Sequence, residues 1–457
     1  MKKIVVLLSI LTCFGCNQEN REKYAIVSGR IHQQKVHELI LMSRESEFEK
    51  VISVTKNGHF ADTIKLQLGH YELNDGKNTT FLVLEPGDNI EITYNGSDHH
   101  NTVHLSGNGV EKTEYLIAKN KKLKELIRNL KQLYQLDEAS FKNKFDNIKT
   151  VLLDTLYSFD GLSTRFRELE SRNIEYYILS RYISYGPSHA AINKDPDFQV
   201  SDGFSQELKD IDYNREEDFV FSKNYQYLIK SHYRTYAREL MNKDSIPDYL
   251  SWIKTVETIP SEIIRNKLLL DNAINEITYT KDVESFYKTH LSAISNEIYK
   301  SKVTETYEKL KSLDSGRYSP KFTDYENYDG TTTSLDDLEG KYVYIDIWAT
   351  WCAPCIVEIP HLKELEKEYQ GRNIAFVSIS IDNAKDHDKW EKMIELKKMQ
   401  GIQLFSDQSW NSSFIKDYLI NGIPRFILID PEGKIISSDA PRPSEPALME
   451  LLSNLKT

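Results

Sequence analysis

The pattern of apolar and polar positions changes twice along the chain of 457 residues. From residue 24 to residue 106, short β-branched or aromatic runs alternate with turn-forming pairs, as in strands joined by tight turns. The turn pairs are Asn57-Gly58, Asp75-Gly76, Pro86-Gly87 and Asn95-Gly96. Asn and Gly tolerate positive φ angles and therefore suit hairpins. We predict a small antiparallel sandwich or barrel here, without clustered His, Asp or Glu residues that would indicate catalysis.

Between residues 107 and 313 the apolar positions recur every three or four residues, which predicts amphipathic helices. One predicted stripe comprises Leu116, Leu123, Leu126, Ile127, Leu130, Leu133 and Tyr134. A later helix contains Ile174 and Tyr182, and Gly186-Pro187 is expected to end it. We interpret the many tyrosines of this region as residues that pack the helices together, and an aromatic groove for a ligand is the alternative.

Around residues 314–330 the composition shifts to Ser, Gly, Pro, Asp and Tyr, and strands then alternate with helices to the end of the chain. We expect strands at 342–348, 373–381, 425–430 and 434–437, and helices at 352–369, 384–398, 414–419 and 445–455. The predicted fold class is multidomain. An all-β sandwich-like domain over 24–106 precedes a mostly α-helical region over 107–313 and an α/β domain over 314–457.

Composition narrows the function classes. The chain carries 58 basic and 69 acidic residues, a formal charge of -11, which argues against nucleic-acid binding. Hydrophobic residues make up 40% and charged residues 28%, so the chain can form ordinary packed cores. The four cysteines fall into two close pairs, which excludes a small scaffold held together by disulfides.

The first residues predict an export signal over residues 1–15. Lys2 and Lys3 precede an apolar run that is too short to cross a bilayer as a helix, and Gly15 is followed by Cys16. This segment resembles a bacterial lipoprotein signal, which implies lipidation of Cys16, a tether over residues 16–23, and a location at a membrane of the cell envelope facing the periplasm or the cell surface. An ordinary secretory signal is the alternative.

The segment Trp351-Cys352-Ala353-Pro354-Cys355 follows a predicted strand and opens a predicted helix. Two thiols one helical turn apart can close a disulfide. At a helix start, unpaired backbone N–H groups and the dipole favour the thiolate of Cys352, which makes it a nucleophile. Pro354 suits the first turn because its missing N–H would have had no intrahelical partner.

Zinc binding and a purely structural disulfide are the alternatives for this pair. Zinc commonly takes two cysteine pairs, whereas only one pair lies in this region and His361 is the nearest histidine. A bridge across two residues closes too small a loop to restrict the unfolded chain much. Redox exchange without metal or further cofactor is therefore the predicted chemistry.

Residues 344–355, with Glu358, Pro360 and Gly422-Ile423-Pro424, resemble the TlpA-like thiol-disulfide oxidoreductases of the thioredoxin superfamily. The resemblance covers about 140 residues from 315 onward and implies a thioredoxin-like fold for 314–457. Ser319-Pro320, Gly340-Lys341 and Asp430-Pro431-Glu432-Gly433-Lys434 also match. Ala353 stands where the family often has Gly, and we expect it to tune the reduction potential.

The resemblance also implies roles for individual residues. Asp346 is a carboxylate inside an apolar strand, and the resemblance implies that it is the buried proton acceptor for Cys355. Glu358 is implied to assist proton transfer. Ile423-Pro424 is implied to form the cis-proline loop that presents backbone to the substrate. Trp351, Ala353 and Pro354 complete the predicted substrate-binding surface, whereas Trp348 is expected to pack in the core.

We therefore predict a protein-disulfide reductase that acts on exported proteins and receives electrons from a membrane-embedded thiol donor. One alternative is a peroxiredoxin-like thiol peroxidase, although no Pro occurs between Gly340 and Cys352 as the peroxidatic pattern would require. Another is a surface binding module with an accessory redox domain, in which residues before 314 bind a partner or ligand.

Overall fold

The computed structural model describes residues 24–33 and 36–455. The predicted signal, the tether and the lipidation candidate Cys16 lie outside the described residues. The chain divides into two compact units, the first ending at Ile264 and the second beginning at Arg265. Within the described ranges, no helix is both long enough and apolar enough to cross a membrane.

The first unit begins with two four-stranded sheets. Their strands are β1 (Tyr24–His32), β2 (Glu38–Ser43), β3 (Glu49–Ser53), β4 (His59–Lys65), β5 (Gly69–Asn74), β6 (Thr79–Leu84), β7 (Asn89–Asn95) and β8 (His104–Asn108), with the short helix α1 (His99–Thr102) before β8. One sheet has the order β4-β1-β7-β8 and the other β3-β2-β5-β6. Inward residues such as Val27, Leu39 and Ile92 form a continuous core. The predicted β-rich region is confirmed.

The prediction of an antiparallel domain is wrong for one pair, because β1 and β7 run parallel. A short hairpin can make only antiparallel neighbours, whereas five strands separate β1 from β7 and bring the chain back at the same end. Gly29 lies opposite Ile92 in this pair, and a Cβ atom at Gly29 would lie 1.8 Å from the Ile92 carbonyl oxygen. Only glycine permits this approach.

The predicted turns have different uses. Asp75-Gly76 joins β5 to β6 in an antiparallel hairpin. Asn57-Gly58 and Pro86-Gly87 instead carry the chain from one sheet to the other. Turn chemistry therefore marks where strands end, but it does not show which strands pair.

Helices complete the first unit. They are α2 (Val110–Leu126), α3 (Leu130–Tyr134), α4 (Glu138–Ser158), α5 (Thr164–Asn193), α6 (Glu216–Phe221), α7 (Lys223–Asp244) and α8 (Asp248–Val256), with a 3₁₀ turn at Gln206–Asp210. The predicted stripe from Leu116 to Tyr134 is broken between α2 and α3, and only those two of its members are buried. The Asn129 side chain accepts a hydrogen bond from the Gln132 N–H and starts a new helix there.

Helix α5 continues through Gly186-Pro187, so the predicted stop at that pair is wrong. The last turns are held by tertiary contacts. The Tyr185 hydroxyl donates to the Leu136 carbonyl oxygen at 2.7 Å, and His189 Nδ1 lies 2.9 Å from the Tyr134 carbonyl oxygen. These contacts offset the backbone hydrogen bond that a proline within a helix cannot make.

The second unit is an α/β layer with three preceding helices. Its strands are β9 (Tyr325–Asn327), β10 (Thr332–Thr333), β11 (Tyr342–Trp348), β12 (Ile374–Ser380), β13 (Ile402–Phe405), β14 (Arg425–Ile429) and β15 (Ile435–Ser437). Its helices are α9 (Glu262–Glu276), which begins three residues before the division, α10 (Val283–Ala293), α11 (Glu297–Lys311), α12 (Ala353–Glu368), α13 (His387–Lys397), α14 (Ser413–Asp417) and α15 (Pro446–Ser453). The sheet order is β10-β9-β13-β12-β11-β14-β15.

The predicted alternation of strands and helices from residue 342 onward is confirmed, and β9, β10 and β13 are additional. Four residues or fewer carry too little periodicity to be recognised. Helices α10 and α11 belong to the second compact unit, although the predicted domain boundary lies at residue 314. Leu310 of α11 and the following Leu313 pack into the core of the sheet, which explains their grouping.

The central strand β11 positions the site. It pairs with β12 in parallel and with β14 in antiparallel fashion, and six of its seven residues are buried. Ile345 and Ile347 belong to one core cluster, whereas Tyr344 belongs to another. The chain leaves the carboxyl end of β11 and reaches Cys352 within four residues.

Candidate active site

Cys352 is the N-cap residue of α12. Its backbone is extended, and its Sγ atom accepts a hydrogen bond from the Cys355 N–H at 3.2 Å. Pro354 lies in the first turn, where a backbone N–H has no intrahelical acceptor. The helix therefore begins at the first cysteine, and the positive end of the helix dipole lies at its sulfur.

The two cysteines form a disulfide with their Cα atoms 5.3 Å apart. Cys352 is 4% exposed and Cys355 is 2% exposed, whereas Trp351, Ala353 and Pro354 around them are exposed. When the bond is reduced, the helix start favours the thiolate of Cys352. The two cysteines, one helical turn apart, can therefore undergo thiol-disulfide exchange with a partner protein that reaches this surface.

Asp346 lies within β11 and is 5% exposed. Burial raises the pKa of its carboxyl to about 8, and the negative charges of Glu358 and Glu366 add to this shift, while a hydrogen bond with Ser378 opposes it. Its Oδ1 atom is buried and has no hydrogen-bond partner among the described residues. Glu358 and Glu366 both lie on α12, so Asp346 interacts electrostatically with the helix that carries the cysteines. A carboxyl with this pKa can exchange a proton near neutral pH.

Glu358 lies one turn beyond Cys355 on α12 and is 6% exposed. Its Oε2 atom accepts a hydrogen bond from the Ser444 N–H at 3.0 Å, and its Oε1 atom accepts one from the Ser444 hydroxyl at 2.9 Å. Ser444 precedes α15 in the chain. The structure therefore places the Glu358 carboxylate on the loop before α15, a partner that the sequence did not indicate.

The exposed surface beside the disulfide is aromatic. Trp351 is 54% exposed, and its ring centroid lies 6.3 Å from that of Trp410. Trp348, by contrast, is fully buried, so its predicted core position is confirmed. Trp410 was not singled out from the sequence, because an isolated aromatic residue between predicted elements carries no signal of its own.

The Ile423–Pro424 peptide bond is cis. Ile423 packs against the core cluster that contains both cysteines. The neighbouring Gly422 lies beside Tyr279, since a Cβ atom at Gly422 would lie 2.9 Å from the Tyr279 hydroxyl oxygen. Tyr279 ends the 3₁₀ turn Ile277–Tyr279 after α9, so a residue outside the predicted α/β domain contacts the loop that contains the cis proline.

Asp382 organises the loop before Cys352, and sequence reasoning missed it. Its carboxylate accepts hydrogen bonds from the Thr350 N–H at 2.8 Å and from the hydroxyl groups of Thr350 and Ser380, each at 2.7 Å. Asp382 follows β12, which is parallel to β11, so the carboxyl ends of both strands meet at one sheet edge. An acidic residue directly after the neighbouring parallel strand was the available signal.

Three side chains close enough to hold a metal ion together lie elsewhere in the part of the chain that the structure describes. They are His387, Asp388 and Glu391 on α13, and the exposed positions of Asp388 and Glu391 are common for acidic residues that bind no ion. Neither cysteine belongs to this group. The geometry at the cysteines is that of a closed disulfide, whereas zinc binding requires free thiolates.

Comparisons with known proteins match the region of the disulfide. Residues 316–438 match the model of the AhpC/TSA family. Thiol-disulfide oxidoreductase ResA of Bacillus cereus is 28% identical over 152 residues, which cover 33% of this chain and 83% of that protein. ResA of Bacillus subtilis is 26% identical over 126 residues, which cover 28% of this chain and 67% of that protein.

The similar solved structures also match about a third of this chain. The thioredoxin domain of a thiol-disulfide oxidoreductase from Bacteroides vulgatus is 30% identical, and the match covers 31% of this chain and 97% of that chain, with a TM-score of 0.28. The reported relatives therefore match about a third of this chain or less.

Proposed function

We propose that this protein is a thiol-disulfide oxidoreductase that works as a protein-disulfide reductase. The match of residues 316–438 to the AhpC/TSA family and the similarity to ResA support a thioredoxin-superfamily domain that carries this activity. The observation that carries the proposal is the Cys352–Cys355 disulfide with its first cysteine at the start of α12. A dithiol at a helix start combines a nucleophilic sulfur with a resolving sulfur within reach.

The reaction begins with the reduced dithiol. The Cys352 thiolate attacks one sulfur of the substrate disulfide, an S–S bond forms to that sulfur, and the second substrate sulfur leaves as a thiolate. The Cys355 thiol then loses its proton and attacks the Cys352 sulfur, which releases the first substrate sulfur. Two electrons pass to the substrate, and the protein is left with the Cys352–Cys355 disulfide. A thiol donor must reduce this disulfide before the next cycle.

A carboxyl has to take the Cys355 proton, and we assign this role to Asp346. Its pKa of about 8 means that a fraction of the carboxyl is ionised at neutral pH and can accept a proton. Glu358 contributes through its charge, which raises the pKa of Asp346. Because Ser444 already occupies both Glu358 oxygens, Glu358 is a positioning residue in this assignment.

The substrate is proposed to bind over the exposed residues beside the disulfide. Trp351, Ala353 and Pro354 supply an apolar surface, and the Ile423–Pro424 segment supplies backbone at the edge of the same core. Such a surface suits an unfolded or flexible chain that carries a disulfide. The proposed substrates are exported proteins, and the proposed electron donor is a membrane-embedded thiol protein. The chain would be held at a cell-envelope membrane through Cys16 and face the periplasm or the cell surface.

The test is reduction of insulin by the purified protein with dithiothreitol as donor. The wild-type protein should accelerate reduction, and Cys352→Ser should reduce the rate to that of dithiothreitol alone. Reduced Cys355→Ser, freed of dithiothreitol and then mixed with insulin, should instead accumulate a mixed disulfide, visible as added mass, because it lacks the resolving sulfur. Glu364→Gln, an exposed position on the same helix, is the control and should keep the wild-type rate. Full activity of Cys352→Ser would overturn the proposal.

Thiol peroxidase activity is the second candidate, and the match to the AhpC/TSA family favours testing it. A peroxidatic cysteine would be oxidised by peroxide to a sulfenic acid, which Cys355 would resolve to the same disulfide. Hydrogen peroxide consumption measured on the same preparation separates the two reactions. A peroxide turnover far above the insulin rate would make peroxidase the better assignment.

A further inference from the structure

The first unit contains a small cavity of about 180 Å³ that the redox chemistry does not use. We call it the Glu45 cavity. The residues that matter for its chemistry are Arg44, Glu45, His70, Lys119, Phe221 and Lys223. Its volume is well below the roughly 300–1,000 Å³ of sites for drug-sized ligands, so it suits a molecule with few heavy atoms.

Two buried side chains of this cavity have unsatisfied polar atoms. Glu45 is 7% exposed and His70 is 5% exposed. Glu45 Oε1 lies 3.5 Å from His70 Nδ1, while Glu45 Oε2 and His70 Nδ1 have no hydrogen-bond partner among the described residues. A buried carboxylate oxygen without a donor is costly, and native proteins normally satisfy such atoms. The cavity therefore presents a buried acceptor that a donor group of a ligand can satisfy.

The cations of the cavity differ in their availability. Lys119 Nζ lies 2.5 Å from Glu170 Oε1, and Arg44 Nε lies 3.1 Å from Glu72 Oε1, so both charges are neutralised by the protein. Lys223 is exposed and has no ion pair among the residues described. It is thus the cation that a negatively charged ligand group can approach.

The walls between these groups are partly apolar. The Phe221 ring packs against the His70 ring with their centroids 4.8 Å apart, and Leu116 also lines the cavity. Apolar walls with a few placed polar groups are the usual chemistry of small-molecule sites. The cavity therefore combines an unpaired acceptor, an accessible cation and apolar surface.

A divalent cation fits these residues poorly. Among the described residues that line the cavity, only Glu45 and His70 carry buried polar atoms without a hydrogen-bond partner, whereas a zinc site normally needs at least three protein ligands. The exposed ammonium group of Lys223 at the cavity opposes a further cation as well.

We propose that the Glu45 cavity binds a small zwitterion, an aliphatic α-amino acid. Its ammonium group donates to Glu45 Oε2, its carboxylate approaches Lys223, and its side chain lies against Phe221 and Leu116. The site would make the first unit a ligand-binding module. This inference is independent of the disulfide chemistry, because it involves no residue of the second unit.

Calorimetric titration of the purified full-length chain with L-leucine tests the proposal. We expect saturable binding, and we expect Glu45→Gln to weaken it at least about tenfold because the charged acceptor for the ammonium group is lost. Glu47→Gln, an exposed position two residues away, is the matched control and should bind like the wild type. Circular dichroism of each variant checks that the fold is retained.

Ligand analogues test the ammonium contact and the carboxylate contact of the site independently. N-acetyl-L-leucine lacks the ammonium group and should not bind. L-leucinamide keeps the ammonium group but lacks the carboxylate, so Lys223→Gln should weaken binding of leucine and leave binding of leucinamide unchanged. Absence of saturable binding up to about 10 mM leucine, equal affinity of Glu45→Gln, or binding of Zn²⁺ in place of leucine would each overturn the proposal.

Discussion

Ser444 holds the carboxylate of Glu358 through both of its hydrogen-bond donors, the backbone N–H at 3.0 Å and the hydroxyl at 2.9 Å. The loop before α15 is thereby tied to the helix that begins at Cys352. Since the charge of Glu358 contributes to the raised pKa of Asp346, this tie also fixes a charge that influences the proposed proton acceptor.

Ser444→Ala should destabilise the protein by about 1.5–3 kcal/mol, because it removes one hydrogen bond to a buried charged group and leaves an acceptor unpaired. Urea unfolding at pH 7 measures the loss. Ser453→Ala is the control, since its hydroxyl donates to a helix carbonyl at an exposed position and its removal should cost less than about 0.5 kcal/mol. Equal losses of stability in the two variants would show that the hydrogen bond from the Ser444 hydroxyl to Glu358 adds nothing beyond an exposed hydrogen bond.

Asp346→Asn should change how stability depends on pH in the oxidised protein. The pKa of Asp346 is about 8 when folded against a reference of 3.8, so between these values the folded state retains a proton that the unfolded state releases. Stability of the wild type therefore falls as pH rises through this window, and Asn removes that contribution. The gain of the variant over the wild type should be at least about 1.4 kcal/mol larger at pH 8 than at pH 5, the equivalent of one pKa unit.

Unfolding curves collected at several pH values check this slope. Asp388→Asn, an exposed aspartate on α13, is the control and should leave the pH dependence of the wild type unchanged. A pH-independent difference between Asp346→Asn and the wild type would contradict the raised pKa.

Asp382→Asn should destabilise the loop that precedes Cys352. The substitution keeps the shape of the side chain but removes the charge that accepts hydrogen bonds from Thr350 and Ser380, and it turns an amide N–H group toward one of their donors. We expect a loss of about 2–3 kcal/mol in urea unfolding. Asp388→Asn again provides the exposed comparison, and a loss no larger than its own would exclude a structural role for this carboxylate.

Pro187→Ala should stabilise the first unit by about 1 kcal/mol or more, because alanine restores a backbone donor inside α5 and favours the helix. The gain is limited, since proline also restricts the unfolded chain. Thermal unfolding of both proteins measures it. Ser188→Ala, the next residue along the same helix, controls for helix propensity and should have a smaller effect. A lower melting temperature of Pro187→Ala would mean that α5 needs the proline for its packing.

Much of the fold could be predicted because strand and helix periods are local. The β11 boundaries at 342 and 348 follow directly from an apolar run that only Asp346 interrupts. The parallel pairing of β1 with β7 could not be predicted, because pairing depends on where the chain passes between the two strands. The continuation of α5 through Pro187 could not be predicted either. The contacts that stabilise it join Tyr185 and His189 to residues about 50 positions away in the chain.

The candidate site divides in the same way. Cys352, Cys355 and Asp346 could be selected from the sequence, since a thiol pair at a helix start and an acid inside an apolar strand are local signals. Asp382 and Ser444 act through hydrogen bonds to residues 32 and 86 positions away in the chain. The position of Asp382 after a strand is a local signal, but the partners of both residues depend on the fold.

The sequence by itself determined which residues can do chemistry, because the identity and spacing of side chains set their nucleophilicity and acidity. Only the tertiary structure decided which groups lie together. It placed Ser444 on Glu358, Tyr279 beside Gly422, and Glu45 beside His70 in a cavity. The reason is physical: hydrogen bonds and burial act over a few ångströms in space, and folding brings distant parts of the chain within that range.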